Sequence, residues 1–135
     1  MDITQQIKDK NFPADPLIPL DKPFVDHRGM IQNLITDGIE SVAVITSVKG
    51  SVRSNHYHKY NSHYLYVLNG KIRYHERNLD GSDVKVSDYV AGQMFFTPPD
   101  KVHKVEFLED TVLISLAPQS NAPDDHDNDT VHQEF

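Results

Sequence analysis

Turn signals crowd this chain so closely that no long helix fits between them. From Pro23 onward the breaks fall at Arg28-Gly29, Lys49-Gly50, Asn69-Gly70, Asp80-Gly81, Ala91-Gly92 and Pro98-Pro99-Asp100. Between them lie short β-type runs: PFVD, MIQNLI, SVAVITSV, VRSNHYH, HYLYVLN, KIRYHER, VKVSDYV, QMFFT, HKVEF and TVLISLA. About ten short strands at this spacing point to an all-β sandwich or barrel. Asn69-Gly70 reads as a two-residue hairpin turn, which needs positive φ at both positions. Asp26-His27-Arg28-Gly29 also reads as a turn, where Asp and Gly are routine.

A length of 135 residues suits one domain with flanking segments. Three prolines (Pro13, Pro16, Pro19) mark residues 1–22 as an N-terminal arm, since proline cannot donate to a sheet ladder. The barrel is expected over 23–117. Residues 118–135 carry Asp124, Asp125, Asp127, Asp129 and Glu134 with no Lys or Arg, and are expected to be an acidic tail, mobile or laid over a partner subunit. The net charge of −7 is mostly this tail, because the body has 13 basic and 15 acidic residues, or −2. No basic stripe remains to suggest nucleic acid or an anionic membrane as partner. No export signal or run of 18 apolar residues is present, so a cytoplasmic location is expected. With no cysteine, any metal must be held by nitrogen and oxygen.

The chemistry concentrates in four of the eight histidines. His56 and His58 are two apart in a β-type run, so strand alternation turns both imidazoles to one face. His63 opens the next strand, and His103 follows the proline turn on a separate one. Imidazoles suit zinc, iron, copper or nickel better than magnesium or calcium, which prefer oxygen. The competing reading is four ordinary core or surface histidines.

At these residues the sequence resembles the cupin superfamily. The first cupin motif is matched by Gly50, five residues, His56-Tyr57-His58, four residues, His63, six residues and Gly70, with His63 where the family has a glutamate. The second runs from Gly92 through Pro98 to His103, with Asp100 in place of a usual glycine and Phe107 in place of a common asparagine. The resemblance implies a cupin-type double-stranded β-helix, or jelly-roll barrel. It also implies one divalent transition metal (zinc, iron, nickel, copper or manganese) on His56, His58, His63 and His103. In the alternative, His63 points away and three histidines bind. An all-imidazole site leaves the full charge on the ion, making it a stronger Lewis acid.

A looser similarity joins 24–34 and 48–78 to sugar-nucleotide epimerase and ketoisomerase cupins and to the cupin domain of capsular sugar enzymes. It implies proton transfer next to the keto group of a nucleotide sugar. His56 or His58 would be the base, Tyr66 or Tyr74 the acid, and Arg53 the contact to oxyanion or diphosphate. A histidine that ligates metal cannot also be the base, so the two readings of His56 exclude each other. Tyrosines in barrel walls are ordinarily packing. Arg53 has the opposite strand parity to His56 and points outward unless a bulge intervenes. The alternatives in function are a metal-dependent dioxygenase and a non-catalytic sugar- or metal-binding module. A homodimer through the arm and sheet edges is expected.

Overall fold

The computed structural model describes residues 3–135, the side chains of Pro123 and His126 left aside; the first two residues of the expected arm lie outside it. The elements run α1 (Ile3–Lys8), β1 (Leu17–Ile18), β2 (Phe24–Asp26), β3 (Gly29–Ile31), β4 (Ser41–Ser47), β5 (Val52–His58), β6 (His63–Asn69), β7 (Lys71–Asn78), β8 (Lys85–Val90), β9 (Met94–Thr97), β10 (Lys101–Phe107), β11 (Thr111–Ala117), α2 (Pro123–Asp129) and β12 (Thr130–His132). All ten expected strands occur, although MIQNLI contributes only the short β3. Two five-stranded antiparallel sheets form the barrel, ordered β1-β9-β6-β11-β4 and β12-β5-β10-β7-β8. The β2–β3 hairpin stands apart, its turn held by Arg28, whose backbone N–H donates to Asp26 Oδ1 at 2.9 Å. No described helix is long and apolar enough to cross a membrane.

Alternation along the strands fills the space between the sheets with Val67, Ile72, Tyr74, Tyr89, Phe95, Val105, Phe107 and Leu113. A second apolar cluster forms on the outer face of the first sheet. There Tyr64, Tyr66, Met94 and Phe96 meet Ile7 and Ile18 of the N-terminal arm. β9 is therefore buried on both faces. The arm docks on its own sheet, with Leu17 opposite Phe95 and Ile18 opposite Met94. Ile3, Phe12 and Leu20 of the arm pack against the same cluster, adding apolar burial to the two anchors.

One expectation is corrected. Asn69-Gly70 is not a hairpin turn, since β6 and β7 lie in different sheets and the chain crosses between them there. Gly70, at φ 101°, is needed for close approach: a Cβ would meet Thr111 Oγ1 at 2.3 Å and the Asp110 carbonyl at 2.5 Å. The C-terminal segment, expected as an acidic tail, folds onto the barrel: α2 leads into β12, which pairs with β5 from Thr130 opposite His58 to His132 opposite His56. Its polar composition hid a backbone that completes a sheet edge.

Candidate metal centre

The histidine face of β5 is built by a bulge. His103 of β10 stands opposite His56, yet the next residue, Lys104, stands opposite Ser54, so Asn55 is the extra residue. Ser54 and Asn55 both hold positive φ, 76° and 55°. His56, His58 and His103 each offer a ring nitrogen, and these atoms lie within 4.8 Å of one another. Ring centroids are 4.7 Å apart for His56 and His58, 4.8 Å for His56 and His103, and 5.4 Å for His58 and His103.

Two rings of the trio are oriented by an acceptor at Nδ1. His103 Nδ1 lies 3.1 Å from the Lys101 carbonyl, which can only accept, so the proton sits on Nδ1 and Nε2 keeps its lone pair. His58 Nδ1 lies 2.9 Å from Asp129 Oδ2, both side chains being buried. Burial, then His63 and His56, push the His58 pKa down to about 3 against the opposing pull of Asp129. The contact is therefore a neutral imidazole N–H donating to a carboxylate rather than an ion pair. Burial, then His56 and His58, hold His103 well below its ordinary range. Neutral imidazoles with Nδ1 engaged and Nε2 bare are what a transition metal needs as ligands, and the all-nitrogen donor set fits one.

His63 shares the cavity, with its ring 4.8 Å from that of His58, but falls outside the mutually close trio. The cavity holds about 200 Å³. Thr97, Ser115 and Asn121 also line it, and the buried Thr97 Oγ1 and Asn121 Oδ1 have no hydrogen-bond partner. The other sequence candidates are elsewhere. Tyr66 lies in the outer cluster under the arm, on the opposite face of β6 from His63. Tyr74 is inside the barrel but sealed, 6.3 Å from the His103 ring between centroids, and its hydroxyl donates to Glu76 Oε1 at 2.9 Å. Burial, then Glu76, raises the Tyr74 pKa well above its ordinary value, which disfavours ionisation. Arg53 regains the parity of His56 through the bulge, pairing with Val105. It bridges to β4 instead of the cavity, Nε donating to Ser47 Oγ at 2.8 Å and Nη2 to the Thr46 carbonyl at 3.0 Å.

Asp129, Thr97 and Asn121 escaped the sequence reading. Thr97 had a usable signal: it ends the run before the proline turn that places His103. Asp129 had none, being one acid among several in a polar stretch.

The cupin domain model matches residues 43–117. No curated protein sequence matches the chain. Among solved structures, the 3,4-ketoisomerase QdtA from Thermoanaerobacterium thermosaccharolyticum, a double mutant in complex with TDP, is 25% identical with a TM-score of 0.72, covering 87% of this chain and 86% of that one. A 3,4-ketoisomerase from Helicobacter canadensis is 19% identical with a TM-score of 0.74, covering 89% and 91%. The capsular polysaccharide assembling protein CapF from Staphylococcus aureus is 26% identical with a TM-score of 0.63; 94% of this chain aligns to 35% of that one. With both spaced motifs on one jelly-roll and a family model spanning its strands, the chain belongs to the cupin domain family.

Proposed function

We propose that this chain is a metal-binding isomerase or epimerase of nucleotide-linked keto sugars, acting in the cytoplasm in surface polysaccharide synthesis. The observation that carries the reading is the convergence of the trio on a cavity that His63, Thr97 and Asn121 also line. His56, His58 and His103 would hold one divalent transition ion, zinc, iron, nickel, copper or manganese. That ion would supply positive charge where an enolate oxygen develops. His63, in the cavity but outside the trio, takes the proton from the carbon next to the keto group and returns it. Thr97 and Asn121 hydrogen-bond sugar hydroxyls and fix the face presented to His63. Likeness to the 3,4-ketoisomerase QdtA, solved in complex with TDP, supports this substrate class.

The test is solvent deuterium exchange into TDP-4-keto-6-deoxyglucose, the ligand of one QdtA complex. Exchange is expected with the wild-type protein and is lost in His63→Asn and after chelation. No exchange in metal-loaded protein overturns the reading. A second reading, oxygen activation by iron, is favoured by one observation: three ligands leave coordination positions open. Oxygen uptake without deuterium exchange would select it. The proposed partner is a second copy of the chain, across the exposed Phe24, Val25, Met30 and Ile31 of the β2–β3 hairpin and Val42 and Val44 of β4. Sedimentation of wild type against Phe24→Ser/Met30→Ser tests that placement.

A further inference from the structure

The C-terminal segment reaches the histidine trio twice, through different bonds. The first contact is Asp129, only 4% exposed. Its Oδ1 accepts the backbone N–H groups of Tyr60 at 2.7 Å and Asn61 at 3.2 Å, while Oδ2 takes His58 Nδ1 at 2.9 Å. The backbone thus fixes which oxygen faces the ring, and that carboxylate oxygen can only accept. The Thr130 hydroxyl lies near the same nitrogen, at 3.3 Å. The second contact is with the bulge. Two consecutive non-glycine residues in the left-handed region cost about 1–2 kcal/mol each and persist only where their surroundings hold them. Gln133 N–H donates to the Asn55 carbonyl at 2.9 Å, and Phe135 N–H to Asn55 Oδ1 at 3.3 Å. The terminus is anchored in turn, since the Phe135 ring lies 5.5 Å from the Arg77 guanidinium and 5.3 Å from Lys104 Nζ.

We propose that Asp129–Phe135 is a positioning strap for the trio: Asp129 sets the tautomer and rotation of His58, and residues 133–135 hold the bulge that aims His56. The inference rests on the metal-centre reading for its consequence, though not for its geometry. Asp129 touches no substrate and is a positioning residue. A carboxylate behind a ligating histidine keeps Nδ1 protonated and Nε2 free for the metal.

The test uses the full-length chain and the variant Asp129→Asn. Its side-chain oxygen can still accept from Tyr60 and Asn61, but an NH2 group replaces Oδ2. Facing His58 Nδ1, that group donates, so the ring proton must move to Nε2 and point into the cavity. Two readouts are taken: long-range 1H–15N correlation of the His58 ring in metal-free protein, and zinc affinity by competition titration. Expected are the Nδ1–H form in wild type, the Nε2–H form in Asp129→Asn, and a ten- to hundredfold loss of zinc affinity with the metal-free thermal midpoint nearly unchanged. Deleting residues 133–135 should weaken zinc binding while His58 keeps its tautomer. An unchanged tautomer in Asp129→Asn, or zinc affinity equal to wild type in both variants, overturns the proposal. Should Asp129→Asn not fold, Asp129→Ala is read by zinc affinity, a loss supporting the proposal and wild-type affinity overturning it. If wild type itself takes no zinc, the metal reading fails, and the His58 tautomer alone decides for or against the role of Asp129.

Discussion

Strands β10 and β6 each build two different interiors within a few residues. Along β10 the inward positions run His103, Val105, Phe107; along β6 they run His63, Leu65, Val67. Antiparallel pairing gathers the like members: His103 stands opposite Glu76, Val105 opposite Tyr74 and Phe107 opposite Ile72, while Leu65 meets Ser115 and Val67 meets Leu113. One end of the barrel is consequently apolar and sealed, and the other is a cavity of imidazoles and hydroxyls. The alternation that makes a core therefore makes a site, once a strand's inward residues change character along its length. The sealed end supplies stability and the polar end gives some of it up.

The largest effect that separates the ends is a pair of truncations. Phe107→Ala removes a side chain 1% exposed from the sealed end and should cost about 3–5 kcal/mol in urea denaturation, with zinc affinity of the folded fraction unchanged. His103→Ala should do the reverse, abolishing zinc binding in the same titration while costing less than about 2 kcal/mol. Equal stability losses would mean that the histidine end is ordinary core.

This division was partly legible in the sequence. The ten strands followed from turn spacing, and the shared face of His56 and His58 from strand parity. What failed was long-range. Asn69-Gly70 carries hairpin chemistry locally, but pairing belongs to the sheets, and β6 takes β9 and β11 as neighbours. The bulge at Ser54 and Asn55, which reverses the parity of Arg53, lies in residues that bear no glycine to announce it. Asp129 is 71 residues from His58, and nothing local pairs them. Tyr66 was within reach: three residues from His63, it must face the other way in a regular strand.

A smaller effect distinguishes the ends by acid. In metal-free protein His58 is held down to about 3 and His103 well below its usual range, both first by burial. An unfolded histidine takes up its proton near pH 6.5. Between these values the unfolded chain binds more protons, so stability falls as pH drops from about 6.5, and for His58 it goes on falling to about 3. The slope reaches at most about 1.4 kcal/mol per pH unit for each histidine. Urea midpoints at pH 7, 6 and 5 should show the decline in wild type and in Phe107→Ala alike, and a shallower one in His103→Ala. A slope unaffected by His103→Ala would place the acid sensitivity outside the polar end.

The smallest effect probes the boundary, where Glu76 follows Ile72 and Tyr74 along β7. Burial raises its pKa, opposed first by the Tyr74 hydroxyl and then by Lys85 and Lys101. A carboxyl that binds its proton more tightly folded than unfolded contributes fully below the unfolded value, and that contribution is lost as pH rises through the folded one. Glu76→Gln keeps an oxygen to accept from Tyr74 and has no proton to lose. It should therefore match wild type near pH 4 and exceed it at pH 7, by less than about 1 kcal/mol, with zinc affinity unmoved. A variant less stable than wild type at pH 7 would show that the charge of Glu76 is held by Lys85 and Lys101 more strongly than burial opposes it. The polar end of the barrel would then hold a fixed negative charge beside His103.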